Sequence, residues 1–441
     1  MKNRNHTNRI EIQKSSYILR YNDQRILLSK TLLNYMSNYR VISSCEVCGN
    51  KKLENVLDLG SHTLCDNLMK VGNEKATEKF PIKVLFCKKC FTAHQACQIE
   101  KHLLFPDSYH YRARFTKDVI NGLDELANSI EKILGDINKK VILDIGCNDG
   151  TLLDIFSSKG ALTYGIEPTD AYKDATGKKH TIYNEYFDKE IVSTLIENNI
   201  KPDIITFTNV FAHIEDLQNL IENLKQIMHK KTLICIENHY LGSILSKNQF
   251  DTFYHEHPRT YSLRSFKFIS DNLGCKIINT SFPKRYGGNI RVIFAPKDYS
   301  NTFDIDNNFE EVSIEENKFY VKFKALNTFL TTWKESKRNE ILDLVSKYGP
   351  IPAKAFPGRA AILIELLKLS KNEIKCVYEK PGSKKIGHYV PGTNIPIVSA
   401  KELFEMTNKP KFIINLAWHI PDEIKGFLKQ NNVYSEIINI I

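Results

Sequence analysis

The sequence has no long apolar run, no block of lysine and arginine, and no short-period repeat. The longest apolar candidates, such as Ala360–Leu367, reach about half of the roughly 18 residues that a membrane helix needs. Residues 1–30 are polar and lack the apolar segment of a secretory signal. We therefore expect a cytoplasmic protein that does not interact with membranes.

The 441 residues suggest two or three domains, because single hydrophobic cores rarely grow to this size. Hydrophobic residues make up 42% and charged residues 25%, both ordinary for a soluble protein. The formal net charge of +10 favours an anionic partner. Nucleic acid, a membrane surface and a small phosphorylated substrate all qualify, but the basic residues are scattered and form no nucleic-acid-binding tail, so a lysine-rich solvated surface explains most of them.

Four of the ten cysteines form two C-x-x-C pairs, Cys45/Cys48 and Cys87/Cys90. Four thiolates in this pattern can surround a zinc ion tetrahedrally, and a cytoplasmic protein rarely forms disulfides. Because four sulfur ligands leave no open position, we predict a structural Zn²⁺ and no metal catalysis.

The distribution of short strands and helices predicts an α/β protein of three domains. Residues 1–40 form an extension with some helical periodicity, and residues 41–108 form a small zinc-stapled module. Strands alternate with helices over residues 109–278, which predicts a central, doubly wound, Rossmann-like sheet. Residues 279–441 form a second α/β domain, with strands expected at Asn289–Phe294 and, less clearly, Ala361–Leu363.

A glycine-containing motif, D-I-G-C-N-D-G at residues 144–150, stands at the end of a buried strand predicted at Lys140–Gly146. Glycines allow close approach of a ligand to the backbone, and an acidic residue about 20 positions later can bind a ribose diol. The loop lacks the G-x-G-x-x-G spacing of dinucleotide enzymes. We therefore predict S-adenosylmethionine (SAM) as the cofactor, with these binding residues: Asp144, Gly146, Asn148, Gly150, Glu167 and Asn209.

Two further segments carry histidines. Tyr254-His255-Glu256-His257 could act in acid–base chemistry, although such loops are often simply polar surface. His213 lies in a loop after the strand Ile204–Phe207, where open α/β sheets bind ligands, but a buried structural histidine explains it equally well. Glycines beside Arg291 could approach a phosphate, but an ordinary turn with a surface arginine explains this motif nearly as well.

In this order, the motifs resemble those of the sugar C-methyltransferases of deoxysugar biosynthesis. The resemblance runs from about Ser44 to the C-terminus. It includes the four cysteines, the glycine loop, the segment Asn209–Ile214, Tyr254–His257, and Pro391–Pro396. It implies a zinc-binding N-terminal domain, a SAM domain and a C-terminal α/β domain. We expect a monomer or a homodimer, and the sequence does not decide between them.

The resemblance also implies a chemistry, in which a base removes a proton beside the ketone of a nucleotide-linked 4-keto-6-deoxyhexose and the enolate is methylated. It implies His257 as the base and assigns Tyr254 and Glu256 to orienting the sugar. A neighbouring carboxylate such as Glu256 could hold one tautomer of His257 and raise the basicity of the ring. The other implied site residues are His213, Tyr109 and Tyr111 in the pocket, and Arg291 and Lys354 on the substrate.

The chain departs from the family pattern at three places near the expected pocket. These are Arg112–Arg114, Pro258–Thr260 and Ala355–Pro357. The departures leave the sugar and the methylated carbon open. Two other readings also stay open: an RNA methyltransferase with a zinc module, and a non-catalytic homologue that binds SAM or a sugar nucleotide.

Overall fold

A computed structural model describes residues 9–13, 16–21, 24–28, 38–73, 77–105, 111–115, 117–299 and 309–441. Strands β1 (Arg9–Gln13), β2 (Ser16–Tyr21) and β3 (Gln24–Leu28) pair in order as an antiparallel sheet. The helical periodicity noted in the extension is therefore wrong for the part that includes Ile26. Among the described residues, no helix is both long and apolar enough to cross a bilayer.

The cysteine-containing module is built from short antiparallel strands. Its strands are β4 (Tyr39–Val41), β5 (Glu54–His62), β6 (Met69–Lys70), β7 (Phe80–Phe86), β8 (Ala93–Gln95) and β9 (Cys97–Ile99), and helix α1 (Lys101–Leu104) follows. Alternate residues of β7 are buried, as expected for a strand with one face on a core. The apolar runs at residues 55–59 and 80–86 lie within β5 and β7.

The central domain alternates strands and helices. Its strands are β10 (Val141–Ile145), β11 (Leu162–Ile166), β12 (Thr181–Tyr183), β13 (Ile204–Thr208), β14 (Leu233–His239), β15 (Arg259–Thr260), β16 (Cys275–Ser281) and β17 (Asn289–Pro296). Its helices are α2 (Lys117–Leu134), α3 (Thr151–Ser158), α4 (Tyr172–Ala175), α5 (Lys189–Glu197), α6 (Leu217–Ile227), α7 (Leu241–Ser246) and α8 (Leu263–Asn272).

Seven of these strands form one sheet in the order β12-β11-β10-β13-β14-β17-β16. The first five are parallel, whereas β17 runs antiparallel to both β14 and β16. The strand order reverses between β10 and β13, so a ligand crevice is expected at the carboxyl ends of these two strands. The doubly wound sheet is thus confirmed.

The C-terminal region begins with α9 (Phe309–Glu316) and the long helix α10 (Phe319–Tyr348). It continues with β18 (Ile351–Lys354), α11 (Ala360–Leu366), β19 (Ile374–Glu379), β20 (His388–Tyr389), β21 (Ile397–Ser399), α12 (Ala400–Glu405), β22 (Phe412–Asn415), α13 (Pro421–Gln430) and β23 (Glu436–Asn439). A second parallel sheet has the order β21-β19-β18-β22-β23, with its own reversal between β18 and β22.

Two sequence-based expectations differ from this structure. The strand at Asn289–Phe294, assigned to the C-terminal domain, lies in the central sheet beside β14. The possible strand at Ala361–Leu363 is the middle of helix α11. The run is buried on all sides, and short apolar runs of this kind carry no periodicity that separates a strand from a buried helix.

Candidate active site

The four cysteines predicted as metal ligands come together in the N-terminal module. Their sulfur atoms all lie within 4.8 Å of one another. Each pair starts a tight turn, in which the amides of Gly49 and Phe91 donate to the carbonyls of Cys45 and Cys87. Four converging thiols, three of them buried, have the donor chemistry and spacing of a structural zinc site.

The glycine loop lies at the carboxyl end of β10, where the ligand crevice is expected. Gly146 and Gly150 adopt φ angles of +71° and +75°, and Asn148 adopts +52°. A Cβ at Gly146 would lie 2.5 Å from the side chain of Val210. The loop therefore requires glycine at position 146, where the strand turns toward helix α3.

Two acidic residues stand beside this loop, as predicted for a SAM site. Glu167 follows β11, and its carboxylate accepts from the amides of Asn148 (3.0 Å) and Thr169 (2.9 Å). Burial raises the pKa of Glu167. Asp144 accepts from the Thr206 hydroxyl at 2.6 Å, and burial raises its pKa to about 7.

Asn209 stands at the carboxyl end of β13, across the crevice from the glycine loop. Its φ of +54° changes the direction of the backbone after the strand, and its backbone amide donates to the Glu237 carbonyl at 2.7 Å. The neighbouring Thr208 hydroxyl is buried without a partner among the described residues. An unpartnered hydroxyl, an acidic residue after β11 and a glycine loop suit a polar ligand, so this edge fits SAM.

Three histidines meet next to this edge. The ring centroid of His257 lies 4.8 Å from that of His213 and 5.1 Å from that of His239. His213 follows β13, His239 ends β14, and His257 lies in the Tyr254–His257 segment. The structure thus brings together two predicted residues and adds His239. Its place at a strand end is the same signal that pointed to His213.

Backbone carbonyls fix the tautomers of two of these rings. His257 Nδ1 lies 3.0 Å from the Thr252 carbonyl, and His213 Nδ1 lies 2.7 Å from the Glu256 carbonyl. A carbonyl can only accept, so each Nδ1 carries the proton and each Nε2 has a lone pair. This corrects the idea that the Glu256 carboxylate holds His257, because the groups that do so are backbone carbonyls.

These histidines are held in their neutral form. Burial lowers the pKa of His213 to about 4. The pKa of His257 is well below its ordinary value because of burial and the neighbouring His213 and His239. The pKa of His239 is lowered in the same way by burial and by the charge of Arg359. Neutral imidazoles at physiological pH are able to accept a proton.

Tyr254 and Glu256 lie against the same cluster. The Tyr254 ring centroid is 4.4 Å from that of His257, and its hydroxyl donates to the Glu256 carboxyl at 3.4 Å. Burial, and then the charge of Asp66, raise the pKa of Glu256 well above its ordinary value. Tyr254 and Glu256 therefore form a polar pair beside the candidate base.

The C-terminal domain contributes residues that the sequence analysis missed. Arg359 donates to the Thr252 hydroxyl at 2.7 Å and pairs with Asp251 at 3.3 Å. His419 and its neighbour Trp418 follow β22, and the Trp418 indole donates to Asp251 at 3.1 Å. Arg359 follows β18, and Trp418 and His419 follow β22, so all three lie where the strand order of the second sheet reverses. This edge of the second sheet therefore faces the histidines. All three residues are more than 90 residues from Tyr254–His257, and no local pattern signals the contact.

Of the two tyrosines predicted to line the pocket, Tyr109 lies outside the described residues. The hydroxyl of Tyr111 lies 2.5 Å from that of Tyr286, whose ring centroid is 5.8 Å from that of His239. Tyr286 was not predicted, although it begins the Y-G-G turn, and it adopts a φ of +54°.

The two cations predicted as substrate ligands are engaged within the protein. Arg291 forms a buried ion pair with Glu237 at 2.7 Å and also donates to Ser129. Lys354 is buried at the end of β18 and donates to the Tyr378 carbonyl at 3.1 Å. Neither contact is with the histidine cluster.

Comparison with known proteins follows the same three-part division. A family described as a putative zinc binding domain matches residues 45–105, one described as a methyltransferase domain matches 113–280, and one described as a C-methyltransferase C-terminal domain matches 284–436. The C-methyltransferase NovU of Streptomyces niveus is 24% identical over 87% of this chain and 92% of its own. Together these matches support a SAM-dependent C-methyltransferase.

Two other similarities cover only part of this C-methyltransferase. The ubiquinone biosynthesis O-methyltransferase of Nitrosomonas europaea is 26% identical over 23% of this chain and 44% of its own. The SAH-bound structure of magnesium protoporphyrin IX methyltransferase from Synechocystis is 15% identical, with a TM-score of 0.32, over 41% of this chain and 83% of that chain. The C-methyltransferase is SAM-dependent, and its second cofactor is zinc.

Proposed function

We propose that this C-methyltransferase methylates a carbon next to the ketone of a nucleotide-linked keto-deoxysugar. The observation that supports this most strongly is the neutral pair His213 and His257, each anchored through Nδ1 at the ligand edge of the sheet. Carbon is a poor nucleophile until a C–H proton is removed, and a ketone makes the adjacent C–H acidic enough for a histidine. A base in its free form is the group that such a reaction needs.

His257 Nε2 would take the proton in the first step. The C–H bond breaks, its electron pair moves toward the ketone oxygen, and the proton is then on the imidazole. The Tyr254 hydroxyl would turn from Glu256 to donate a hydrogen bond to a sugar oxygen, and Glu256 would accept one from a sugar hydroxyl, so that the pair orients the sugar as the enolate forms. The ring of His213 packs against that of His257, with the two centroids 4.8 Å apart, and restricts the position of the base.

The neighbouring crevice would hold the cofactor. Gly146 and Gly150 allow the backbone to approach it, Glu167 is placed for the ribose, and Asn209 borders the opposite side. Bound SAM supplies an electrophilic methyl group, which the enolate carbon accepts, leaving S-adenosylhomocysteine.

The nucleotide part of the substrate carries phosphates, and these need positive charge. Arg359 brings a guanidinium to the histidine cluster from the C-terminal domain. Arg359 also bonds to Thr252 and Asp251, but its charge acts on His257, whereas the contacts of Arg291 and Lys354 described above are with other parts of the protein. Guanidinium groups bind phosphates with two parallel hydrogen bonds.

Transfer of labelled methyl groups tests the proposal. The enzyme is incubated with labelled SAM and either a panel of nucleotide 4-keto-6-deoxysugars or total RNA. We expect one sugar to be labelled on carbon, and His257→Asn to lower the rate about 10²–10⁴-fold. His229→Asn is the control, because His229 precedes β14 at the opposite edge of the sheet. Labelled RNA, or His257→Asn with wild-type turnover, would contradict the proposal.

A further inference from the structure

The segment that follows His257 is built onto the zinc module. Strand β15 pairs with β8, so that Arg259 lies directly opposite His94. The Gln95 amide also donates to the Pro258 carbonyl at 2.9 Å. The candidate base is therefore two residues from a strand that belongs to the sheet of the N-terminal module, although the two segments are more than 150 residues apart in sequence.

The side chain of Arg259 connects several segments of the chain at this junction. It is fully buried, and Nη1 donates to the Glu46 carboxylate at 2.5 Å and to the Glu215 carbonyl at 3.0 Å. Nη2 donates to the Ile214 carbonyl, and Nε donates to the Tyr261 hydroxyl at 3.0 Å. The carbonyls that it holds belong to the two residues directly after His213.

The other end of the ion pair lies within the metal-ligand loop. Glu46 stands between the predicted ligands Cys45 and Cys48. His94 approaches the same loop, with Nε2 3.3 Å from the Cys45 sulfur. Groups that contact metal ligands from outside hold those ligands in position. In turn, a metal ion that fixes the ligands restricts the positions of these outer groups. A zinc ion that fixes Cys45 and Cys48 would also fix the carboxylate of Glu46.

We propose that Arg259 is a positioning residue, and that its ion pair with Glu46 joins the zinc loop to the loops of both His213 and His257. This rests on the proposed function, since the histidines matter only if they handle the substrate proton. Arg259 lies within the departure from the family pattern at Pro258–Thr260, and its side chain pairs with Glu46. The zinc cluster then acts on catalysis through geometry alone.

A planar guanidinium is needed for this role. Arg259 serves one carboxylate, two carbonyls and one hydroxyl at once, and a lysine ammonium with three donors on a flexible chain cannot reproduce that arrangement. Arg259→Lys keeps the charge and removes the clamp. Glu46→Gln keeps the shape and removes the charge. Arg338→Lys is the matched control, because Arg338 also donates to two carbonyls, those of Leu367 and Lys368, in the C-terminal domain.

The experiment measures zinc content, SAM affinity, turnover and the histidine tautomers by ¹⁵N NMR in each full-length, zinc-loaded variant. We expect Arg259→Lys and Glu46→Gln to keep their zinc and SAM affinity and to lose about 10- to 100-fold in kcat, since small misplacements of a catalytic group are costly. The His213 Nδ1–H signal should weaken or shift in both. The control should match the wild type in every measurement.

Two results would overturn the proposal. One is a variant that keeps zinc and shows wild-type turnover and an unchanged His213 signal. The other is loss of zinc or of folding in both Arg259→Lys and Glu46→Gln, which would make the pair a purely structural support. If instead the wild type turns over no keto-sugar, the proposed function fails, and the NMR signals still report whether the pair positions His213.

Discussion

His255 provides a test of how the buried histidines respond to acid. It is 1% exposed, its Nε2 donates to the Phe80 carbonyl at 3.0 Å, and its Nδ1 has no partner among the described residues. A second proton would go onto Nδ1 in an apolar place that offers it no acceptor. Burial therefore lowers the pKa of His255 to about 4.

The sign and size of the effect follow from this pKa. The unfolded chain binds a proton near pH 6.5, whereas the folded chain does so only near pH 4. The stability contribution of His255 is complete above pH 6.5, falls as the pH drops toward 4, and is then constant. At pH 5 the difference amounts to about 2 kcal/mol of unfolding free energy for this one residue.

Urea unfolding of the zinc-loaded protein at pH 8 and pH 5 measures this loss. His255→Gln keeps a donor for the Phe80 carbonyl and cannot be protonated, so its loss between the two pH values should be smaller than that of the wild type by about 2 kcal/mol. His102→Gln is the control, because His102 is exposed. Equal losses in His255→Gln and the wild type would refute the reasoning.

Three further predictions concern the cofactors and the base. Gly146→Ala should weaken SAM binding about tenfold or more in calorimetry, because φ is +71° and the new Cβ would lie 2.5 Å from a neighbouring side chain, whereas Gly177→Ala, in open space, should bind normally. Cys87→Ser should release zinc, measured by mass spectrometry, and lower the unfolding midpoint, because metal binding stabilises the folded state; retained zinc would exclude it as a ligand. Arg359→Gln removes a positive charge that lowers the pKa of His257, so the acid limb of the kcat/KM profile should move to higher pH, and an unmoved limb would contradict this.

Features that are local in sequence were the ones that could be predicted. The strands Val141–Ile145 and Leu162–Ile166 and the loop between them have apolar runs, glycines and an acidic residue at informative spacings. The cysteine pairs also indicate a shared role, because two residues separate the cysteines of each pair and a structural zinc ion takes four ligands. The structure brings their sulfurs within 4.8 Å of one another.

Features that depend on the packing of distant segments could not be predicted. Strand β17 pairs antiparallel with β14, although a long stretch of chain separates the two strands. The domain boundary expected at residue 279 therefore divides strands that share a sheet. Arg359 reaches the histidines only because α11 begins beside Asp251. Arg259 was noticed as a departure from a pattern, but its meaning depends on Glu46, more than 200 residues earlier.

The central claim is that His257 removes a proton from carbon, and proton exchange without SAM tests it most directly. The enzyme is incubated in D₂O with each nucleotide 4-keto-6-deoxysugar, and every sugar proton is followed by NMR. We predict that one proton beside the ketone exchanges faster than in buffer, and that His257→Asn removes the acceleration while His229→Asn keeps it. If no sugar proton exchanges faster than in buffer although the same sugar is methylated when SAM is added, or if His257→Asn exchanges it as fast as the wild type, the proposed role of His257 is wrong.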